Sequence, residues 1–404
     1  MPNKFCILFH YHEISLKGKN RSWFERQLIK NIKIQLRNLP LSKIELISAR
    51  IFCHGIDASR WDEYSDRINK IMGIKHATLV EKNICTLDEM EKTAINQMKD
   101  LDFQSFRVTT KRQWKEFSFT SHQVNEKVGE KIKNTLNKSV KLKNPDINLL
   151  LEIVDGHYYM GHKRALSHGG LPIGTSEHAV SMISSGIDSP VASFQMLKRG
   201  VSLSYVHFHS IPATNRQSIS NVKEIIKILS KYQMKSQLHL VPLLQIQQKI
   251  MAESPNKLWV LLFRRAMVKI SSIIAEKINA PGLVTGESIG QVASQTLSNI
   301  RVTSNAADRP IYRPLCGMNK EDIVNMAQEI GTYELSIEPH EDCCSFFVPN
   351  HPETKANIDK VIDIESNINL SELIDKALDE TILSLVHCSD YLNKEALELI
   401  GTND

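Results

Sequence analysis

The sequence predicts a chain of two parts, an α+β part up to about residue 168 and an α/β part with a doubly wound parallel sheet after it. The length of 404 residues exceeds what one hydrophobic core ordinarily serves. The segment 169–176 has the Gly, Pro and Ser density of a linker. After it, apolar strand candidates alternate with helical patterns, which is typical of a doubly wound sheet.

The first 75 residues contain the pattern of a small α+β unit. A strand is predicted at 4–12, further strand-like stretches at 44–51 and a helix at about 61–71. Asn20 can cap another helix, whose apolar side is formed by Trp23, Phe24, Leu28, Ile32 and Leu36.

Residues 76–168 hold a second α+β pattern. Thr86 and Glu89 have the spacing of a capping box at the start of a helix. Apolar residues repeat every four positions in the run 124–136, which predicts a second helix. The pair Asp-Gly at 155–156 separates two apolar runs and is a strong signal for a β-hairpin.

The α/β part is predicted from apolar runs and helical repeats that alternate along the chain. Strands are expected at 179–183, 201–208, 236–242 and 281–285, and helices at 189–199, 215–232 and 258–278. The tail from about residue 355 is expected to be helical, with segments at 370–374 and 391–400. Ligands of such sheets bind at the carboxyl ends of the strands, so the strand ends are candidates for a nucleotide site.

The stretch 184–190 reads Ser-Ser-Gly-Ile-Asp-Ser-Pro and follows the first strand of the α/β part. It joins that strand to the start of a helix, where backbone N–H groups lack intrahelical partners and lie at the positive end of the helix dipole. Such a loop can bind phosphate, and Pro190 suits the first helical turn. An ordinary polar turn between a strand and a helix is the alternative.

The charge of the chain is unevenly distributed. Residues 1–170 carry 29 Lys and Arg against 19 Asp and Glu, a net of +10, whereas residues 171–404 carry 21 against 26, a net of −5. The run 107–115 interleaves basic residues with Trp114, which suits phosphate contacts with occasional base stacking. The basic part can therefore bind nucleic acid, although plain solubilising surface is the alternative.

Composition and cysteine usage exclude several classes of protein. A hydrophobic share of 42% and a charged share of 24% describe a soluble globular protein. No apolar run approaches a membrane span and the N-terminus lacks a signal-peptide pattern, so we expect a cytoplasmic location. The seven cysteines should then be reduced, and because none has zinc-ligand spacing we predict no structural metal.

Several motifs, taken together, resemble those of one known family. The stretch 184–190 resembles the SGGxDS pyrophosphatase loop of enzymes that split ATP into AMP and pyrophosphate, with Ser185 where the first glycine usually stands. The other motifs are EISLKGKNR at 13–21, GESIGQVASQT at 286–296, RPL at 313–315 and EDCC at 341–344. Their order over nearly the whole chain resembles the tRNA 4-thiouridine synthetase (tRNA sulfurtransferase) family.

The resemblance implies a fold and an activity. It implies an N-terminal ferredoxin-like domain over 1–75, a THUMP RNA-binding domain over 76–168 and a pyrophosphatase-loop (adenine nucleotide hydrolase-like) domain over 169–404. With ATP and Mg²⁺, such an enzyme transfers a persulfide sulfur to a tRNA uridine, expected at position 8, through an adenylated uridine. Family members also supply sulfur for thiamine thiazole synthesis, a role that the sequence leaves open.

The resemblance also assigns site residues. Asp188 is expected to bind Mg²⁺ or to order the loop. The expected nucleotide contacts are Met182, Ile183, Ser184, Ser185, Gly186, Ser189, His207, Phe208, Arg264, Gly286 and Gln295. Without the resemblance, Met182 and Ile183 would be core residues of a strand and Arg264 would form a salt bridge. Basic residues that are otherwise ordinary solvated surface become expected RNA contacts: Lys17, Lys19, Arg21, Lys111, Arg112 and Lys115.

Ser185 departs from the family pattern. If its φ angle is positive, serine adopts the backbone conformation of the usual glycine only at a cost of about 1–2 kcal/mol. If φ is negative, its hydroxyl can add a phosphate donor.

Cys344 aligns with the sulfur-transfer cysteine of the family, and Cys343 is its neighbour and substitute. Without the resemblance, the more common interpretation is that both cysteines are small hydrophobic residues buried in the core. The chain ends 60 residues after Cys344, which leaves no room for the rhodanese-like domain of longer members. We therefore expect sulfur from a cysteine desulfurase, and we consider a sulfur-carrier protein and a second copy of the chain as further partners. A tRNA-binding protein that has lost catalysis is the alternative function.

Overall fold

The computed structural model describes residues 4–339, 343, 347, 349 and 351–388. The chain divides into two compact units, residues 1–172 and 173–404. The division falls inside the segment of linker composition. Within the described residues, no helix combines the length and the apolarity that crossing a bilayer requires.

The first unit is built on a nine-stranded sheet with helices against it. Its elements are β1 (Phe5–Tyr11), α1 (Arg21–Gln35), β2 (Lys43–Ile47), β3 (Arg50–His54), α2 (Trp61–Ile68), β4 (Ile74–Ile84), α3 (Leu87–Met98), β5 (Ser105–Arg112), α4 (Ser121–Leu136), β6 (Ser139–Val140), β7 (Ile147–Val154), β8 (His157–Gly161) and β9 (Arg164–Leu166). The strand order is β2-β3-β1-β4-β8-β7-β5-β6, and β9 pairs with β4.

The long strand β4 joins the two α+β patterns of this unit. Over residues 74–81 it pairs with β1, and over residues 81–84 it pairs with β8. The hydrogen-bonded sheet therefore continues across residue 75, where the sequence predicts one domain to end and the next to begin.

The helices of the first unit cover one face of the sheet in two groups. α1 and α2 bury Leu28, Ile32 and Tyr64 in one core with β1 and β3. α3 and α4 bury Met90 and Val128 in a second core with β5, β7 and β8. Spacings of three and four residues place the buried side chains on one side of each helix, which is why these amphipathic patterns fold onto the sheet.

The face of this sheet that lies opposite the helices is concave. The rings of Phe52 on β3 and Tyr159 on β8 have centroids 4.4 Å apart. Arg50 Nε on β3 lies 2.9 Å from Glu152 Oε2 on β7, although these strands are four steps apart and a flat sheet would separate them by about 19 Å. The sheet is therefore strongly curved, and its concave face forms a third, smaller core.

Helix caps in the first unit agree only partly with the sequence prediction. Asn20 stands at the N-cap of α1, but its side chain makes no capping hydrogen bond. The hydroxyl of Thr86 accepts a hydrogen bond at the start of α3 as predicted. The complete capping box lies at α4, between Thr120 and Gln123, and was not predicted.

Two hairpins shape the strands. The strand-like stretches predicted at 44–51 belong to two strands, because Ser48 and Ala49 adopt positive φ angles of 47° and 63° and turn the chain between β2 and β3. The predicted hairpin at Asp155 and Gly156 is present, with φ angles of 47° and 72°. Positive φ at both central residues is what a tight hairpin turn requires.

The second unit contains a six-stranded sheet. Its elements are β10 (His178–Met182), α5 (Asp188–Lys198), β11 (Ser202–His209), α6 (Gln217–Gln233), β12 (Lys235–Pro242), α7 (Leu244–Glu253), α8 (Trp259–Lys277), β13 (Leu283–Val284), α9 (Leu297–Ser304), β14 (Ile311–Tyr312), α10 (Lys320–Ile330), α11 (Tyr333–Ile337), α12 (Ile358–Ile368), α13 (Ser371–Asp379) and β15 (Ile382–His387). The strand order is β14-β13-β10-β11-β12-β15.

Five strands of this sheet are parallel. The order in which the chain adds them to the sheet reverses at β10. The chain goes from β10 outward to β11 and β12 and then returns to β13 on the other side of β10. Because ligands of open α/β sheets bind where the strand order reverses, the switch point lies at the carboxyl ends of β10 and β13.

The prediction of a wholly helical tail is wrong at residues 382–387. This segment is β15, which pairs antiparallel with β12 at the edge of the sheet. The exposed side chains of Leu383 and Leu385 and the buried side chain of Val386 lie on opposite faces of the strand, in the manner of an edge strand. The helix predicted at 391–400 lies outside the described residues.

Candidate nucleotide site

A cavity of about 230 Å³ lies at the switch point of the second unit. Eleven of the residues that the resemblance assigned line it: Met182, Ile183, Ser184, Asp188, Ser189, His207, Phe208, Arg264, Gly286, Gln295 and Cys343. It is also lined by residues that were not assigned: Met267, Val268, Thr285, Glu287 and Thr303. Segments far apart in sequence thus meet where a doubly wound sheet places its ligand.

The hydroxyl of Ser189 holds the loop between β10 and α5 in shape. It accepts a hydrogen bond from Ser184 N at 2.8 Å and donates to Ser184 O at 3.2 Å. Within α5, Ser193 Oγ donates to Ser189 O at 2.8 Å. The loop is therefore ordered by its own side chains, with the start of α5 directed at the cavity.

Ser185 fits its position without backbone strain. Its φ angle is not among the positive ones, so the substitution of serine for the usual glycine costs no left-handed conformation. The residue is completely buried, and in the described part of the chain its hydroxyl has no hydrogen-bond partner. Ser185 and Gly186 do not line the cavity.

Gly286 allows the segment after β13 to approach the loop closely. A Cβ atom at this position would lie 2.6 Å from Ser189 N and 2.8 Å from Asp188 C. Any other residue at 286 would have to displace the start of α5.

Two side chains hold the carboxylate of Asp188. Lys320 Nζ lies 2.8 Å from Asp188 Oδ1, and Gln291 Nε2 donates to Asp188 Oδ2 at 2.9 Å. Lys320 begins α10 and was not assigned to the site, because nothing in its local sequence marks a phosphate-binding residue. The contacts place a cation beside the loop and its acidic residue.

Glu287 is a buried anion between two arginines. Its carboxylate lies 2.7 Å from Arg264 Nη2 and 2.6 Å from Arg313 Nε. Burial opposes its ionisation, but the charges of Arg264 and Arg313 outweigh burial and lower the pKa of the Glu287 carboxyl. Arg264 thus both lines the cavity and forms the salt bridge that was its alternative interpretation.

The inner end of the cavity combines apolar walls with fixed polar atoms. His207 Nδ1 donates to the Ile183 carbonyl at 3.0 Å, which fixes the orientation of the ring. Met182, Phe208, Met267 and Val268 supply apolar surface. Such a wall suits a nucleobase.

Gln295 offers a ready ligand contact. Its Oε1 atom is buried and has no hydrogen-bond partner within the part of the chain that the structure describes. A buried amide oxygen without a donor is costly, and a ligand N–H or O–H would satisfy it. This atom, the close approach at Gly286 and the ordered loop are features that fit ATP.

Mg²⁺ fits the same site through Asp188. Among the described residues, no group of three His, Cys, Asp or Glu side chains could hold a metal ion. A magnesium ion bound mainly to phosphates needs only one or two carboxylates, and Asp188 is the carboxylate of the loop.

Cys343 lies at the cavity wall and is buried. Its carbonyl accepts a hydrogen bond from Gln247 Nε2 on α7 at 2.8 Å. Cys344 lies outside the described residues, as do residues 341 and 342.

The residues assigned to RNA differ in their surroundings. Lys19 and Lys115 are exposed, and Lys17 Nζ lies 4.9 Å from the ring centroid of Phe24. Arg21 Nε donates to Glu25 at 2.8 Å. The other two are also tied to the fold: Arg112 donates to the carbonyls of Phe117 and Phe119, and Lys111 Nζ lies 3.6 Å from the buried Glu152.

Comparison with known families covers both units. The family model described as Thiamine biosynthesis protein (ThiI) matches residues 174–370. The models for the ThiI ferredoxin-like domain and for the THUMP domain match residues 6–78 and 85–163. The predicted ferredoxin-like, THUMP and pyrophosphatase-loop folds are confirmed.

Individual relatives span nearly the whole chain. A probable tRNA sulfurtransferase from Thermoanaerobacter pseudethanolicus is 42% identical over 380 residues, which covers 93% of this chain and 98% of the relative. Another from Clostridium kluyveri is 38% identical over 379 residues, with coverage of 94% and 98%. The crystal structure of a 4-thiouridine synthetase–RNA complex with bound ATP matches with a TM-score of 0.85 and 33% identity, and covers 95% of this chain and 100% of that one. The chain therefore belongs to the tRNA sulfurtransferase family.

Proposed function

We propose that this protein uses ATP to transfer a persulfide sulfur to a uridine of tRNA, which gives 4-thiouridine. The observation that carries the proposal is the cavity at the switch point, where the loop at 184–190, Arg264 and Cys343 meet. The similarity of the whole chain to a 4-thiouridine synthetase that binds RNA and ATP supports it. Position 8 is the expected uridine, and sulfur supply to thiamine thiazole synthesis is a second use of the same persulfide.

The nucleotide half of the reaction activates the uridine. The C4 oxygen is a poor leaving group, so ATP adenylates it and pyrophosphate departs. Backbone N–H groups at the start of α5 and the hydroxyl of Ser184 bind the phosphates. Lys320 would turn from Asp188 to the phosphates, and Asp188 would then hold Mg²⁺, which would offset the charge of the phosphates. Glu287 holds Arg264 at the cavity wall, where its charge offsets that of the departing pyrophosphate.

In the second half of the reaction, sulfur displaces AMP from C4 of the uridine. The outer sulfur of a persulfide carried on the cysteine pair attacks C4, the bond from C4 to the adenylated oxygen breaks, and AMP leaves with the electron pair. A free thiol such as cysteine then attacks the protein sulfur of the resulting disulfide, and 4-thiouridine leaves as the thiolate. A second thiol reduces the mixed disulfide and restores the protein cysteine. Cys344 is the proposed carrier because it aligns with the family's sulfur-transfer cysteine. Its sequence neighbour Cys343 lines the cavity, which supports this assignment. A cysteine desulfurase supplies the persulfide.

The decisive experiment combines purified protein, tRNA, ATP, cysteine and a desulfurase, and measures 4-thiouridine by mass analysis of nucleosides. Asp188→Ala should abolish tRNA-dependent AMP formation and thiolation while tRNA affinity stays nearly unchanged. Asp375→Ala, on the exposed face of α13, is the matched control and should keep full activity.

A tRNA-binding protein without catalysis is the remaining alternative. Ser185 was one reason to consider it, and the absence of backbone strain at Ser185 weakens that reason. Tight tRNA binding by the wild-type protein with no 4-thiouridine under these conditions would favour this alternative. Undiminished turnover in Asp188→Ala would instead remove the loop from the mechanism.

A further inference from the structure

Gln247 uses both ends of its amide to join two segments at the nucleotide cavity. It lies on α7 and is completely buried. Its Nε2 donates to the carbonyl of Cys343 at 2.8 Å. Its Oε1 accepts from the hydroxyl of Ser210, the buried residue that follows β11.

The anchoring end of this link is rigid. Leu243 N donates to His209 O at 2.8 Å, so the start of α7 is bound to the end of β11. Ser210 follows His209 directly and holds the amide oxygen of Gln247. Ser210 stands two residues after Phe208, which lines the cavity. The amide nitrogen of Gln247 therefore has a defined position relative to the central strands.

The held end of the link is the main-chain carbonyl of Cys343. This residue directly precedes Cys344 in the sequence, and the hydrogen bond to its carbonyl restrains the main chain of Cys343. The interaction spans 96 residues of sequence. A hydrophobic residue of similar volume could fill the space in the core of α7, but it could not fix the carbonyl.

We propose that Gln247 is a positioning residue for the sulfur step: its amide fixes the main chain of Cys343, the residue before the proposed sulfur carrier, at the cavity wall. This inference rests on the proposed function. Displacement of a reacting group by about 1 Å can cost about 100-fold in rate, whereas adenylation uses neither cysteine. Loss of the Gln247 amide should therefore separate the two halves of the reaction.

The test uses the full-length protein with tRNA, ATP, cysteine and a desulfurase. Gln247→Met keeps the length of the side chain without its hydrogen bonds, and Gln247→Leu removes the same hydrogen bonds with a different shape of side chain. In both variants, 4-thiouridine formation should fall by about 10-fold to 100-fold. Pyrophosphate release in the first turnover should stay within about twofold of wild type, and persulfide loading from the desulfurase is followed in parallel.

Ser210→Ala is the matched control, because it removes the other hydrogen bond of the amide and leaves the bond to Cys343 in place. It should keep more thiolation than either Gln247 variant. Thermal unfolding identifies any variant that fails to fold, and the thiolation of Gln247→Leu is then used in place of that of Gln247→Met.

Two outcomes would overturn the inference while the proposed function stands. In one, a folded Gln247 variant keeps wild-type thiolation. In the other, pyrophosphate release and thiolation fall in the same proportion, which indicates a general structural role. A wild-type protein that makes no 4-thiouridine would instead contradict the proposed function itself.

Discussion

Two glycines of the nucleotide site differ in the space around them. A Cβ at 286 would lie 2.6 Å from Ser189 N, whereas a Cβ at 186 would meet only Ser184 Oγ, at 3.6 Å. We expect Gly286→Ala to displace the loop and abolish ATP binding, and Gly186→Ala to leave the fold of the ligand-free protein unchanged. Thermal unfolding and calorimetric titration with ATP measure the two effects.

The pair of variants also locates the nucleotide. If Gly186→Ala keeps its melting temperature but loses ATP affinity, then ATP occupies the space beside residue 186. A Gly286→Ala variant with the stability and ATP affinity of wild type would show that the loop can move aside, contrary to the packing argument.

The two cysteines should have different roles. Because adenylation needs no thiol, Cys344→Ser should still release pyrophosphate on tRNA but fail to form 4-thiouridine. Cys343→Ser should lose much less thiolation. Parallel assays of pyrophosphate and 4-thiouridine measure the two halves of the reaction separately. Wild-type thiolation by Cys344→Ser would mean that the persulfide of the desulfurase reaches the uridine directly.

Site residues that belong to contiguous motifs could be predicted from the sequence. Site residues that only the fold brings to the cavity could not. The loop at 184–190 and Gly286 carry their chemistry in the local sequence, because a strand, a small-residue turn and a helix start follow one another. Lys320 and Gln247 have no such context. Their roles exist only because α10 and α7 fold back to Asp188 and Cys343.

At the scale of elements, the curved sheet of the first unit buries histidines that cannot easily take up a proton. His76 on β4 stacks against His10 on β1, with ring centroids 4.4 Å apart. Burial, followed by the charges of His10, Arg164 and Lys111, lowers the pKa of His76 to about 3, against the opposing charge of Glu152. The unfolded chain binds this proton near pH 6.5, so protonation of the unfolded state opposes folding below that pH.

The lowered pKa of His76 predicts how the stability of the protein depends on pH. Because the pKa of His76 is lower in the folded state, stability present above pH 6.5 should be lost as pH falls toward 3, by up to about 1.4 kcal/mol per pH unit. Urea unfolding at pH 7.5 and 5.5 measures the loss. His76→Gln should reduce it, whereas His122→Gln, at an exposed position of α4, should not. Equal acid losses in wild type and His76→Gln would contradict the assignment.

Elements with a strong local period were predicted well, and elements fixed by distant partners were not. The helices α1 to α4 follow from apolar repeats, and the Asp155–Gly156 turn follows from its sequence. The edge strand β15 has a short apolar run that only its pairing with β12 makes a strand. The curvature that brings Arg50 to Glu152 depends on the whole sheet and has no local signal.

At the scale of the whole molecule, the division into two units coincides with the division of charge. Residues 1–172 form one compact unit with its own cores. The net charge of +10 belongs to residues 1–170, and the net charge of −5 to the rest. The unit without the nucleotide cavity is therefore the one whose charge suits a polyanion.

A fragment of residues 1–172 should accordingly bind tRNA without the second unit. Its logarithmic affinity should fall with the logarithm of salt concentration by roughly 0.7–0.9 for each phosphate neutralised, because binding releases counterions. Filter binding at several salt concentrations measures the slope, and the fragment 173–404 is the control of opposite net charge. Reversing the charge of the exposed Lys19 and Lys115 with glutamate should reduce both affinity and slope, since fewer phosphates are neutralised. If the first fragment folds but binds tRNA weakly and without salt dependence, the RNA surface must involve the second unit as well.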